Sequence, residues 1–179
     1  MEGAAKFITP NCVQYERLIA APASAVWPLL GTPEGLARWF IPTARFDPKR
    51  GGQFHFMEGW EGKISLYAPE RVISFFPDEG GETTFECVAD GAARTRFILT
   101  DRQAPGFVPP DDIPMDPAAP RKQGLYQPGG PGTPWVGILV GWHHFADDFV
   151  AAVTGGETQR PPLGPLHDFY QGRLRDYFA

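Results

Sequence analysis

The stretch TPWVGILVGWHHFADDFVAAVTGG, residues 133–156, decides the architecture of this chain. Its apolar side chains recur at helical spacing, which predicts one helix of about 20 residues that ends at Thr154. Thr133-Pro134 supplies an N-cap residue and a first-turn proline, and Gly155-Gly156 ends the helix. The apolar positions are Trp135, Leu139, Trp142, Ala146, Phe149, Val150 and Val153.

The sequence before this helix is dominated by segments with the pattern of strands. A first strand is predicted at residues 12–19, and Asp90-Gly91 has the composition of a hairpin turn between two later strands. The later strands are predicted at residues 53–57, 60–67, 71–76, 83–89 and 95–100. Strands that follow one another without helices between them favour an antiparallel sheet.

Two short helices are predicted between the first strand and the sheet. One begins near Pro22 and includes Leu30, and the other covers residues 33–40. Pro28 should kink or shorten the first, because proline removes a helical hydrogen bond. The order of elements therefore predicts an α+β fold of the helix-grip type, in which a curved antiparallel sheet wraps around the long C-terminal helix.

The chain is expected to form one domain over residues 1–156, with an inserted loop and a separate tail. The loop, residues 102–134, holds nine prolines and five glycines. It directly precedes the long helix, so we expect it to lie near one end of a cavity and to act as a lid. The tail, residues 157–179, is predicted to be a linker followed by an amphipathic helix, which packs on its own domain or on a second copy in a homodimer.

Composition excludes several classes of protein. The formal net charge is −5 and no run of lysines or arginines is present, so a nucleic-acid partner is not expected. The apolar stretches are shorter than the ~20 residues of a membrane span, and the N-terminus lacks the pattern of a signal peptide. Cys12 and Cys87 are interpreted as buried free thiols, which favours a cytoplasmic location.

Several short motifs support the helix-grip prediction. They are Ala21-Pro22 with Val26-Trp27, Pro33-Glu34-Gly35-Leu36-Ala37-Arg38-Trp39-Phe40, Phe46-Asp47, Gly51-Gly52-Gln53-Phe54, Gly62, Pro69-Glu70-Arg71-Val72, Thr84-Phe85-Glu86, Thr95-Arg96-Phe97-Ile98-Leu99-Thr100 and Gly141-Trp142. Through these motifs, residues 12–155 resemble the START-like (SRPBCC) superfamily, and most closely the bacterial group related to the C-terminal domain of the heat-shock chaperone ATPase activator. The resemblance implies a cavity between the sheet and the long helix. It does not fix the function, because relatives include lipid carriers, aromatic cyclases, hydrolases and co-chaperones.

The aromatic residues are the main candidates for a binding site. Large apolar cavities with few polar groups are the usual sites for small molecules. We therefore expect the chain to bind a hydrophobic, ring-containing small molecule between the sheet and the long helix, although the same rings could simply fill the core. The candidate ligand-binding residues are Trp39, Phe54, Phe56, Trp60, Phe75, Phe85, Phe97, Trp142, Phe145 and Phe149.

Two alternative functions are kept open. A cyclase- or hydrolase-type enzyme would use a histidine or glutamate of the pocket, and the candidates are the helical pairs His143/Asp147 and His144/Asp148 and the carboxylates Glu58 and Glu61. A co-chaperone-like protein would act through its surface. The sequence has no metal-ligand spacing, phosphate-binding glycine loop or nucleophile elbow, so no metal, cofactor or catalytic residue is predicted.

Overall fold

One antiparallel sheet forms the body of the protein in the computed structural model, which describes residues 1–57, 59–104 and 135–178. Within these residues eight strands pair in the order β1-β2-β8-β7-β6-β5-β4-β3. The strands are β1 (Lys6–Thr9), β2 (Cys12–Ile19), β3 (Thr43–Phe46), β4 (Gln53–Phe56), β5 (Glu61–Ala68), β6 (Val72–Pro77), β7 (Glu82–Ala89) and β8 (Thr95–Arg102).

The helices are grouped before and after the sheet strands β3 to β8. Three helices of one turn each, α1 (Ala23–Val26), α2 (Pro28–Gly31) and α3 (Pro33–Leu36), follow β2. The long helix α4 (Trp135–Thr154) packs against the sheet, and α5 (Leu163–Phe178) packs against α4. This arrangement confirms the predicted α+β helix-grip fold, with a long C-terminal helix held by a curved sheet.

Alternation along the strands determines which side chains meet α4. In β8 the buried residues are Thr95, Phe97, Leu99 and Asp101, at every second position. In β7 the buried residues are likewise alternate ones, Thr83, Phe85 and Cys87. Side chains at alternate positions share one face of a strand, so these residues form the concave face that packs under α4. Trp142 and Phe149 of α4 are both fully buried.

The structure has two strands and one short helix more than the sequence predicted. The edge strands β1 and β3 were not predicted, although each adds four residues to the sheet. The predicted first short helix divides into α1 and α2 at Pro28, which has no N–H to continue the helix. The third short helix is capped by Thr32, whose hydroxyl accepts a hydrogen bond from the Gly35 N–H at 3.0 Å.

The predictions for the loop and for the tail compare differently with the structure. Strand β8 continues to Arg102, which the prediction had placed in the loop, while residues 105–134, and with them the predicted lid, lie outside the described residues. In the tail, Leu166 and Tyr170 of α5 are fully buried within a single chain. The division of the chain at residue 156 and the homodimer stay predictions.

Two further properties of the described residues bear on the predictions. Cys12 and Cys87 are both buried, free thiols. In the ranges 1–57, 59–104 and 135–178, no helix combines the length and the apolar character that crossing a membrane requires.

Candidate functional site

Aromatic side chains from the sheet, from the segment after α3 and from α4 meet between the sheet and the long helix. The set contains all ten aromatic residues predicted for the binding site, and Phe40 joins them. We refer to it as the aromatic cluster: Trp39, Phe40, Phe54, Phe56, Trp60, Phe75, Phe85, Phe97, Trp142, Phe145 and Phe149.

The cluster has an interior and a rim. Most of its rings are almost fully buried, whereas Trp60 and Phe145 are only partly buried. Trp60 stacks on Phe56 with ring centroids 5.2 Å apart, and Phe145 meets Phe40 edge-on at 4.8 Å. Such offset and edge-to-face contacts are the favourable geometries for aromatic pairs. Trp60 and Phe145 therefore form the part of the cluster that solvent reaches.

Phe40 is the member that the sequence prediction missed. Its ring stacks on Trp142 with centroids 5.6 Å apart and an interplanar angle of 17°, and it also contacts Phe85 at 5.7 Å. Phe40 follows the third short helix, where no strand alternation indicates an inward direction. Its neighbour Trp39 is held by a hydrogen bond from its indole N–H to the Leu29 carbonyl at 2.8 Å. The adjacent pair places two rings against α4.

A buried carboxylate, Asp101, lies next to the cluster on the concave face of β8. Asp101 is 3% exposed. One oxygen, Oδ1, accepts a hydrogen bond from the Thr83 hydroxyl at 3.0 Å, and Oδ2 accepts one from the Gln103 amide at 2.5 Å. The Trp142 indole N–H faces the same carboxylate but lies outside ordinary hydrogen-bond geometry. Trp142 thus connects the aromatic cluster to a polar end.

Burial raises the pKa of Asp101 from its ordinary value to about 6. The neighbouring Thr83, Gln103 and Trp142 side chains oppose this shift, because donors that face the charged form favour it. The carboxylate is therefore mostly ionised at neutral pH, and it acts there as a hydrogen-bond acceptor.

A second polar group surrounds His143 on the side of α4 that faces β2 and α5. The His143 Nδ1 is 2.7 Å from the Tyr170 hydroxyl, and its Nε2 is 3.5 Å from an Asp147 oxygen. Arg17 donates two hydrogen bonds to the Asp147 carboxylate, at 2.9 and 2.7 Å. The Ala5 N–H donates to the Tyr170 hydroxyl at 3.1 Å. This group ties the N-terminal segment, β2, α4 and α5 together.

Burial, followed by the nearby positive charge of Arg17, lowers the pKa of His143 to about 3. His143 is therefore neutral at physiological pH, and its contact with Asp147 is not an ion pair. Its ring contacts are to Tyr15 and Tyr170. These partners connect structural elements, which favours a structural role for the His143/Asp147 pair over catalysis.

The other polar candidates are placed elsewhere. His144 and Asp148, the other helical pair, have separate hydrogen-bond partners: His144 contacts the Pro161 carbonyl at 3.1 Å, and Asp148 binds Arg160. Glu61 is exposed and lies 3.6 Å from His55 at the surface. Glu58 lies outside the described residues. Among the residues that the structure describes, no group of three or more His, Cys, Asp or Glu side chains could hold a metal ion.

An open groove of about 460 Å³ lies at the C-terminal end of α4. Arg38 crosses it and donates a hydrogen bond to the Ala152 carbonyl at 2.9 Å. None of the lining residues belongs to the aromatic cluster. They are Ala25, Pro28, Leu29, Thr32, Glu34, Gly35, Arg38, Ala152, Val153, Thr154 and Gly155.

Part of this chain matches the model of a known protein family. Residues 20–101 match the family model described as activator of Hsp90 ATPase homolog 1-like protein. No curated protein has a significant sequence match to this chain. The matched residues begin directly after β2 and end at Asp101, so they include β3 to β7 and most of β8 but neither α4 nor α5.

Solved structures match over nearly the whole chain. CalU16 from Micromonospora echinospora has a TM-score of 0.63 and 17% identity, and the match covers 97% of this chain and 93% of that chain. A conserved protein of unknown function from Enterococcus faecalis has a TM-score of 0.66 and 14% identity, covering 98% and 92%. A protein from Mesorhizobium loti has a TM-score of 0.55 and 16% identity, covering 82% and 98%. At these identities the similarity is one of fold.

Proposed function

We propose that the chain binds a hydrophobic, ring-containing small molecule between the sheet and α4, since residues 20–101 match the Hsp90 ATPase activator homolog family model and the whole chain has the helix-grip fold. The observation that carries this proposal is the aromatic cluster, which the fold assembles where the helix crosses the concave face. Most small-molecule sites have apolar walls and a few oriented polar groups. Asp101 and Trp142 give this site its polar end.

Entry into the site is expected at the rim. The interior rings contact one another, with Phe97 and Phe149 only 4.1 Å apart between centroids, so a ligand has to displace rings. Trp60 and Phe145 are only partly buried, so part of each ring is already open to solvent. A flat molecule can therefore stack beside Trp60 and Phe145 at the lowest cost.

The expected affinity follows from the apolar area that a ligand buries. About 300 Å² of buried apolar ligand surface contributes roughly 7 kcal/mol at ~25 cal/mol/Å². Lost translational and rotational freedom subtracts from this value, and packing with one or two hydrogen bonds adds to it. A dissociation constant in the micromolar range, which corresponds to about 8 kcal/mol, is therefore expected without a metal or an ion pair.

Replacing Trp60 with alanine should weaken the binding of an environment-sensitive aromatic dye such as 1-anilinonaphthalene-8-sulfonate about tenfold, because a stacking surface at the rim is lost. The matched control is Phe76→Ala. Phe76 is the neighbour of Phe75 in β6, but its side chain points to the outer face of the sheet and is 49% exposed. Fluorescence titration measures both dissociation constants, and cooperative urea unfolding shows that each variant is folded.

Equal effects of the Trp60 and Phe76 substitutions would contradict the placement of the site. Native mass spectrometry of the purified protein gives an independent reading, since a copurified molecule appears as a defined mass increase. If the folded protein neither binds the dye nor carries a molecule, the binding proposal is wrong. Interaction through the surface, as in a co-chaperone, would then take its place.

A further inference from the structure

The carboxylate of Asp101 has unused capacity to accept hydrogen bonds. It is 3% exposed, and among the described residues it accepts two hydrogen bonds, from the side chains of Thr83 and Gln103, which are neutral groups. An ionised carboxylate offers about four acceptor positions. A further donor that approaches Asp101 from the aromatic cluster would therefore find an acceptor that is already oriented by the sheet.

Trp142 supplies the complementary feature, a donor without a good acceptor. Its side chain is fully buried, and its Nε1 faces Asp101 but makes no hydrogen bond of ordinary geometry within the part of the chain that the structure describes. The ring itself is fixed by the stack on Phe40 and by an edge contact with Phe85 at 6.3 Å. A buried polar atom without a partner is costly and calls for an explanation. A bound group that accepts a hydrogen bond from this N–H would provide such an explanation.

A hydroxyl group fits both requirements at once. Its oxygen can accept the Trp142 N–H while its hydrogen is donated to Asp101. An ammonium group has no lone pair for Trp142, and a carbonyl has no hydrogen for Asp101. Because Trp142 also belongs to the aromatic cluster, the hydroxyl would be carried by the ring that the cluster holds.

We propose that Asp101 and Trp142 anchor the hydroxyl group of a hydroxylated aromatic ligand, in the manner of a phenol. This inference rests on the proposed function, because it names the chemical class that the same site would select. The anchor is formed by two elements that pack against each other, β8 and α4. The ligand is thereby oriented with its hydroxyl toward the sheet and its apolar body toward Trp60 and Phe145.

Two probes of equal size test the proposal, 2-naphthol and 2-methylnaphthalene. They share the ring system and differ by a hydroxyl or a methyl group, so equilibrium dialysis of each measures what the hydroxyl adds. We expect the wild-type protein to bind 2-naphthol about tenfold more tightly, as a hydrogen bond to a charged group is among the stronger ones.

Two substitutions locate the effect. Asp101→Asn removes the charge, and Trp142→Phe removes the N–H while it keeps an aromatic ring. Each should bring the ratio of the two dissociation constants close to one. Glu86→Gln is the control, because Glu86 lies in β7 on the outer face of the sheet; this variant should keep the wild-type ratio. The ratio is internal to each variant, so a general loss of stability does not imitate the result.

The outcomes distinguish a failure of the hydroxyl anchor from a failure of the proposed binding function. If both probes bind the wild-type protein equally well, the anchor is wrong and the binding function stands. If 2-naphthol binds better but the ratio survives both substitutions, the hydroxyl is held elsewhere and the anchor is again wrong. If neither probe binds the folded protein, the proposed function fails together with the anchor.

Discussion

Replacing Phe149 with alanine is expected to lower the free energy of unfolding by about 3–5 kcal/mol. Phe149 is fully buried on α4. Its ring lies 4.1 Å from that of Phe97 and 4.7 Å from that of Trp39, measured between centroids. These contacts join α4 to β8 and to the segment after α3. Truncation loses the apolar transfer energy of the ring and leaves a cavity that three elements cannot easily close.

Urea unfolding followed by tryptophan fluorescence measures this loss, and Phe76→Ala is the matched control. Phe76 is a phenylalanine of the same sheet whose side chain points outward and is half exposed, so its truncation should cost less than about 1 kcal/mol. A loss below about 1 kcal/mol for Phe149→Ala would contradict the burial of this part of α4. The experiment therefore tests the helix-grip packing itself.

The elements that carry a strong periodic pattern could be predicted from the sequence. Strand β2 has the predicted bounds at both ends, and the long helix ends at Thr154 as expected. Strands β1 and β3 could not be predicted in the same way. Each has four residues at an edge of the sheet, and neither contains a fully buried position. Their pairing is set by the neighbouring strands β2 and β4 rather than by their own apolar pattern.

The candidate site was predictable only in its apolar part. Alternation in the strands places Phe85 and Phe97 on the concave face, and helical spacing does the same for Trp142 and Phe149. Asp101 was missed, because a carboxylate at the end of a strand is usually solvated. Its position did contain a signal. Asp101 continues the inward register of Phe97 and Leu99 in β8, so alternation alone places it under α4.

The polar group around His143 was also predictable only in part from the sequence. Helical spacing predicted the contact between His143 and Asp147. The partners Tyr170 and Arg17 lie 27 and 130 positions away from His143 and Asp147, respectively, so spacing along one helix could not show them. These distant partners decide that the histidine is buried and neutral.

Acidification is expected to destabilise the protein through His143. The pKa of this side chain is lowered to about 3 in the folded protein, whereas an unfolded histidine has a pKa of about 6.5. Below about pH 6.5 His143 therefore binds a proton in the unfolded chain but not in the folded one, and stability falls as the pH falls. The slope approaches about 1.4 kcal/mol per pH unit below the unfolded pKa, so the loss from His143 between pH 6.5 and pH 4.5 is about 2.3 kcal/mol.

Other groups titrate in the same range, so a non-titrating variant has to isolate this contribution. Asp101 acts in the opposite direction: its pKa is raised to about 6, and the folded state therefore gains stability as the pH falls through this value. His143→Gln keeps hydrogen-bonding capacity toward Tyr170 and Asp147 but cannot take up the proton. The measured quantity is the unfolding free energy of the wild type minus that of the variant, at several pH values.

This difference should decrease steadily from pH 6.5 to pH 4.5, because only the wild type has an imidazole that is protonated in the unfolded chain and uncharged in the folded one. Urea unfolding supplies the free energies, and the NMR signal of the His143 ring should keep the chemical shift of a neutral imidazole down to about pH 4. A ring that titrates near pH 6.5, together with a difference that does not change with pH, would show that solvent reaches His143. The contacts that tie α5 and the N-terminal segment to α4 would then be looser than the burial of Tyr170 implies.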